Sequence, residues 1–235
     1  MALYVILMGV QGAGKGEQAK FISQTYAGIP QVSTGDLFRA MKTRTDPLAQ
    51  RIQQIMAEGR LIDDDTTNEV VAERLSQEDA KHGVILDGYP RTPDQAKFLE
   101  QYLADKGEKV AAVVLLELDL FVAFKRAFGR VKAANGAVYN IYYQNADLTY
   151  LQEAHPEQAY PPRIVATLTT TGEVLQRRHD DADAAAVIKR IDTYLETTAP
   201  LIAFYDTKRL VRRINAEQSI EAVSADIKRV LDAVK

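Results

Sequence analysis

Near the N-terminus the chain reads "LYVILMGVQGAGKGEQA", residues 3–19. Six apolar residues run into a glycine-rich turn, and a lysine then opens a helical pattern. A run this short, rich in aliphatic residues and closed by Gly9, predicts a buried strand. Gly9, Gly14 and Lys15 match the spacing G-x-x-x-x-G-K of a phosphate-binding loop, in the strand-loop-helix setting that such a loop requires. The backbone N–H groups of residues 12–17 would form a concave nest, and the helix N-terminus adds about half a positive charge. Lys15 adds a full one. The bland reading is a glycine-rich turn with a solvent-facing lysine. The stronger reading commits the chain to an α/β fold, because such a loop sits at the carboxyl edge of a parallel sheet.

The rest of the pattern agrees. Helical periodicity follows in residues 14–26, from 33 ("STGDLFRAMK"), over 46–59 with Pro47 near its start and Gly59 at its end, and in "DDTTNEVVAERLSQ". "GVILDGYP" holds a strand over 84–87 closed by Gly88 and Pro90. "TPDQAKFLEQYLADKG" is a helix whose Thr92, Pro93 and Gln95 form a capping box. A buried strand over 110–119 precedes a helix over 120–128. Residues 131–175 change character: turn residues and alternating Tyr, Val and Ile predict a strand-rich insert with a hairpin near Asn135-Gly136. A long helix over 183–206 contains Pro200, which predicts a kink. A strand over 210–215 and an amphipathic helix over 218–233 close the chain. Strands alternating with helices predict a three-layer parallel-sheet core, with the insert as a lid.

Composition removes several classes. The chain has 235 residues, 46% of them hydrophobic, enough for a sizeable core. It lacks an 18-residue apolar run, so no membrane partner is expected. The net charge of −3 disfavours a nucleic-acid surface. With no cysteine there are no disulfides or thiolate metal sites, which fits a cytoplasmic protein. His82, His155 and His179 show no metal-ligand spacing.

"GAGKG.QA", "STGDLFR", "DGYPRT..QA" and "TAPLI" resemble, in order and spacing, the motifs of adenylate kinases and the wider nucleoside monophosphate kinase family. The resemblance covers nearly the whole chain and is weakest over 140–170. It implies a P-loop core (1–32, 63–128 and 182–235), a helical monophosphate-binding insert (33–62) and a lid (129–181). It also implies transfer of the γ-phosphoryl of ATP to AMP with magnesium, giving two ADP, in a monomer. Phosphoryl transfer needs alignment and charge neutralisation rather than a nucleophile-base pair, so arginines are what one looks for.

By resemblance, Gly12, Ala13, Gly14, Lys15, Gly16 and Glu17 hold ATP phosphates. Thr34 and Arg39 hold AMP, the hydroxyl near the base and the guanidinium forked on the α-phosphate; Thr34 also reads as a helix cap, and Arg39 as a solvated helix arginine. Arg60, Leu61 and Ile62 border the adenine. Asp87 orients magnesium through water, and Gly88 and Tyr89 lead to Arg91, a second α-phosphate fork. Gln95 matches a residue that bonds adenine, beside its reading as a cap. Arg126 lies near the ATP base and Arg130, four residues on along the same helix face, reaches the transferring phosphates. Val138 and Tyr139 cover ATP, and Gln218 flanks its base. Arg178 is the second lid arginine, with Asp180 and Asp181 at the hinge; Arg177 has no match and reads as a surface residue. Counted back from "TAPLI", Arg190 is the last phosphate arginine. Counted forward from "HDD" it is Lys189. A guanidinium forks two oxygens and an ammonium does not, which favours Arg190.

The chain departs from the pattern in four places, one of them beside the ATP base, where a Gly and a Lys of relatives become Ala216 and Gln218. Many relatives bind zinc in the lid through paired cysteines; here those positions are Lys132, Asn135, Leu168 and Thr171, so no zinc is expected. "LTYLQEAHPEQAYPPRIVATL" has no counterpart. Glu17 replaces a threonine that offers phosphate a hydroxyl. Its carboxylate would point outward to a neighbouring lysine or arginine, join the magnesium water shell, or impair turnover. Three functions therefore stand: adenylate kinase, UMP/CMP kinase, or a nucleotide-binding protein with impaired catalysis. Residues 33–62 and 129–181 are expected to move when a bisubstrate ligand binds, because water in an open site would take the phosphoryl group.

Overall fold

The computed structural model describes residues 2–58, 62–143, 145–153, 163–177, 181 and 183–234. The chain forms two compact units. The first comprises Met1–Gly9, Gly14–Glu117 and Glu196–Lys235; the second comprises Val10–Ala13 and Leu118–Leu195.

The first unit is built on five parallel strands in the order β2-β3-β1-β4-β9. They are β1 (Leu3–Gly9), β2 (Gln31–Ser33), β3 (Gly83–Asp87), β4 (Val110–Glu117) and β9 (Val211–Asn215). β1 is central, pairing Leu7 with Asp87 on one side and Gly9 with Leu116 on the other. Every residue of β1 is buried, as the unbroken apolar run predicts for a strand covered on both faces. Residues of β1 point alternately to the two faces, so Tyr4, Ile6 and Met8 join Val71, Leu86, Leu99, Leu103 and Tyr205 in one cluster. Each such side chain contributes roughly 1.5–3 kcal/mol. β2 escaped the sequence reading because only Val32 of its three residues is a buried apolar one.

Helices α1 (Lys15–Thr25), α2 (Thr34–Met41), α3 (Pro47–Ala57), α4 (Asp64–Leu75), α5 (Pro93–Ala104) and α8 (Ile220–Asp232) belong to this unit. Asp46 caps α3 ahead of Pro47, and Asp63 caps α4. The segment carrying α2 and α3 has its own small core, Met41, Ala49, Ile52 and Val70, with Ile62 packed beside it. Ser33, not Thr34, stands at the N-cap of α2, so the capping reading of Thr34 fails. α7 (Ala184–Thr207) crosses the boundary between the units and keeps Pro200 within it.

The second unit holds α6 (Leu120–Phe128) and two antiparallel ribbons: β5 (Arg130–Lys132) with β6 (Val138–Asn140), and β7 (Leu148–Glu153) with β8 (Arg163–Leu168). α6 is capped at Gly129, so Arg130 opens a strand and does not share a helix face with Arg126. The first ribbon is the hairpin expected around Asn135-Gly136. The second lies in the stretch 148–168, its strands set in register from Leu148↔Leu168 onward. Lys132 bridges to Gln176, and Thr167 to Val174, so the chain after β8 links the two ribbons. Val131, Ala133, Ile141, Ile164, Ala166, Leu168 and Leu175 are buried. Leu168 thus contributes an apolar side chain to the interior of this unit. Asn135 and Thr171 close local turns, accepting from Ala137 N and Glu173 N. No helix among the described residues is long and apolar enough to cross a membrane.

Candidate active site

The loop between β1 and α1 is held by its own backbone and by Lys15. Gly14 is the N-cap of α1. Ala13 N–H donates to Val10 O and Glu17 N–H to Gly14 O, so those two of the expected nest donors turn back onto the loop. Lys15 Nζ donates to Gly9 O at 2.7 Å, which places the ammonium at the mouth of β1. Gly12 has φ +89°, and a Cβ there would stand 2.8 Å from Ala123 O. No residue with a side chain fits where α6 passes this close. Glu17 points outward: its Oε1 accepts from Lys20 Nζ at 2.9 Å, and the two side chains are 54% and 67% exposed. In the third helical position its charge faces the positive end of the helix dipole. The outward pairing with a neighbouring lysine is therefore the arrangement seen. Gly16 follows Lys15 in the first turn of α1, where a Cβ would meet nothing within 4 Å.

At the carboxyl end of β3 several expected residues meet. Asp87 Oδ2 accepts from Gln31 Nε2 at 3.0 Å, which fixes the carboxylate at the sheet edge. Thr34, buried, donates its hydroxyl to Gly88 O at 2.9 Å. Arg91 Nε donates to the same carbonyl at 2.8 Å, and its Nη2 lies 3.4 Å from Thr34 Oγ1. Thr34, Gly88 and Arg91 therefore form one cluster. Arg39 folds over Gly35 and pairs with Asp36.

Two residues of this region take different places from those expected. Tyr89 is a core residue, 1% exposed, its hydroxyl donating to Asn68 Oδ1 at 2.6 Å. Burial pushes its phenol above the ordinary value, with the Asp64 charge adding to the shift. Only its backbone remains for a ligand. Gln95 is buried too. Its Oε1 accepts from Arg91 N at 2.7 Å and its Nε2 donates to Asp64 Oδ1 at 2.7 Å. Thr92 Oγ1 accepts from Gln95 N at 3.1 Å, the expected half of the capping box; the return bond goes to Arg91 N instead of Thr92 N. Sequence reading missed Asp64, whose other oxygen accepts from Thr92 Oγ1 at 2.6 Å. Gln218 bonds Asn215 O and Asp226 Oδ2. Arg60, Leu61 and Arg178 lie outside the described residues.

In the second unit Asp181 gathers two of the expected arginines. Asp181 is 0% exposed. Its Oδ2 accepts from Arg130 Nε at 2.9 Å and from Arg130 Nη2; its Oδ1 accepts from Arg190 Nη1 at 2.9 Å. A carboxylate withdrawn from water this far needs such partners, because an unpaired buried charge is costly. Arg190, and not the exposed Lys189, shares the carboxylate with Arg130. Arg126 lies beside Gly12, its Cβ 3.0 Å from a Cβ built on that glycine. Val138 is exposed and Tyr139 pairs with Val131 in the first ribbon. Arg177, read as a surface residue, is instead drawn inward onto Phe128.

Two groupings of cationic donors thus stand out. One is a helix N-terminus with Lys15, in the unit that also carries Asp87 and the Thr34–Gly88–Arg91 cluster. The other is a pair of guanidinium groups neutralised in part by one buried carboxylate. Both suit phosphate oxygens. The family model described as Adenylate kinase matches residues 7–210. A protein of Symbiobacterium thermophilum named adenylate kinase is 37% identical over 98% of this chain and 99% of its own length. Proteins of the same name from Acholeplasma laidlawii and Moorella thermoacetica are 36% and 38% identical, covering 99% and 97% of this chain and 99% and 97% of their own. This chain belongs to the adenylate kinase family.

Proposed function

We propose that the chain catalyses reversible, magnesium-dependent transfer of the γ-phosphoryl group from ATP to AMP, giving two ADP. An oxygen of the AMP phosphate attacks the γ-phosphorus, and the bond from that phosphorus to the β–γ bridging oxygen breaks. No protein nucleophile is needed; the residues align the two nucleotides and neutralise charge.

In this reading Lys15 and the backbone N–H groups of the loop, other than those of Ala13 and Glu17, hold the ATP phosphates. Arg91 and Arg39 fork onto the AMP phosphate, with Arg39 exchanging Asp36 for the ligand. Thr34, Ile62, Gly88 and Gln95 border the AMP nucleoside, as do Arg60 and Leu61. Arg130, Arg190 and Arg178 draw charge off the transferring group. Arg126, Val138, Tyr139 and Gln218 flank the ATP base. The donor set fits magnesium, which binds through one or two carboxylates, waters and substrate phosphates. Asp87 is a strand-end carboxylate pinned through one oxygen by Gln31, and no cluster of three or more His, Cys, Asp or Glu occurs among the described residues. When bound, the metal neutralises phosphate charge; Asp87 would hold it through water.

The observation that carries the reading is the cluster beside Asp87, where Thr34, Gly88 and Arg91 lie within hydrogen-bonding reach of one another. The test is a steady-state assay with ATP, with and without magnesium, and AMP, CMP, UMP or GMP as acceptor. Turnover with AMP that EDTA abolishes is the expected result. Preference for CMP or UMP, or no turnover with any acceptor, refutes it. A monomeric state in the cytoplasm, without a nucleic-acid or membrane partner, belongs to the same reading; elution as a dimer in size-exclusion chromatography with light scattering would overturn that part.

A further inference from the structure

The Arg177 guanidinium lies 4.5 Å from the centroid of the Phe128 ring. Its Nη2 donates to the Phe128 carbonyl and, at 2.9 Å, to the Asp181 carbonyl. Phe128 is the last residue of α6. Its carbonyl is therefore one of the terminal four that no helical N–H reaches, and a cation there also meets the negative end of the helix dipole. Burial lowers the Arg177 pKa from its ordinary value, opposed by the Asp181 charge and by Tyr142; a guanidinium stays charged throughout. Asp181 is thus held twice. Arg177 fixes its main chain, while its side chain takes both Arg130 and Arg190.

We infer that Arg177 is a positioning residue for phosphoryl transfer. By tying the Asp181 main chain to the end of α6, it sets the carboxylate from which Arg130 and Arg190 are aimed. The inference rests on the proposed reading that those two arginines reach the transferring phosphates. Arg177 itself need not touch a nucleotide. A planar guanidinium can stack on the Phe128 ring while it donates to two carbonyls from one edge; an ammonium can donate but does not stack as a plane.

The test uses the full chain and the variants Arg177→Gln, Asp181→Asn and the double variant, with Arg130→Met and Arg190→Met in parallel. Arg177→Gln is expected to lower kcat about tenfold, less than the hundredfold that a 1 Å misplacement can cost. KM for ATP and for AMP should stay within about twofold, since ground-state binding is untouched. In the Asp181→Asn background the same change should cost no further kcat, because its effect travels through that carboxylate. A merely structural role would instead lower stability and give losses that multiply. Arg177→Lys should retain part of kcat; if Arg177→Gln does not fold, the lysine variant takes its place in the cycle. An unchanged kcat in the Arg177 variant, or multiplicative losses, overturns the inference. If Arg130→Met and Arg190→Met also keep full kcat, the phosphate reading fails and the inference falls with it. If they lose kcat while the Arg177 variant does not, only the role of Arg177 is refuted.

Discussion

Replacing Glu17 by Gln removes a charge and keeps the side chain's length. Replacing it by Thr removes the charge and adds a hydroxyl. The two variants separate a carboxylate that repels phosphate from a hydroxyl that is simply missing. Glu17 accepts from Lys20, three residues further along α1. At a rise of about 1.5 Å per residue this carries the carboxylate away from the helix N-terminus, on the order of 9 Å from a phosphate bound there. Through water, two unit charges at that separation interact by about 0.5 kcal/mol. Screening at physiological salt leaves roughly a third of it. Summed over the three or four charges of a triphosphate, the repulsion is about 0.5 kcal/mol, and the Lys20 charge offsets part of that. An inward carboxylate at about 4 Å would cost about 4 kcal/mol per charge at intermediate dielectric.

Glu17→Gln should therefore change KM for ATP by no more than about twofold. Glu17→Thr should lower it about tenfold, the lower end of what a hydrogen bond to a charged group contributes. The measurement is KM for ATP at saturating AMP, at low and at physiological ionic strength. A tenfold or larger gain in Glu17→Gln, shrinking with salt, would refute the outward geometry and show that the carboxylate reaches the phosphates.

Three further outcomes follow from the first unit. Gly83 has φ +112°, and a Cβ there would stand 2.1 Å from Leu3 O; Gly83→Ala should lower stability by about 3–5 kcal/mol, read as a lower urea midpoint, and an unchanged midpoint would contradict the β1–β3 register. The Tyr205 hydroxyl is buried and has no hydrogen-bond partner among the described residues, so Tyr205→Phe should be neutral or stabilising by about 1 kcal/mol, and a clear drop in Tm would sink that reading. The Asp63 carboxyl is held below its ordinary 3.8 first by the backbone N–H of Thr66 and then by its hydroxyl. With the folded value depressed, its contribution is complete above 3.8 and is lost as pH falls through the lowered value. Asp63→Asn keeps an acceptor for the cap, so the stability difference from the parent should shrink on acidification; a difference constant with pH would argue against the linkage.

What the sequence shows and hides follows from the range of the interactions. β1, the glycine loop and α1 are legible because a strand period, a turn and a helical period lie within 25 residues of each other. The cap at Thr92 is legible for the same reason, whereas those at Asp46 and Asp63 are seen only in the structure. Gln95 is ambiguous from sequence because its third partner, Asp64, lies 31 residues upstream. Tyr89 matches a ligand motif yet packs into the core, since a motif fixes where the backbone runs and leaves the side chain to its neighbours.

Arg177 shows the same limit most sharply. Nothing near it in sequence distinguishes a solvated arginine from a buried one. Its ring and carbonyl partner is Phe128, 49 residues earlier. The charge Arg177 brings inward only makes sense once Asp181 is seen to hold Arg130 and Arg190. On the proposed reading those two guanidinium groups are aimed at the phosphates of a bound nucleotide, and Arg177 holds in place the carboxylate that aims them.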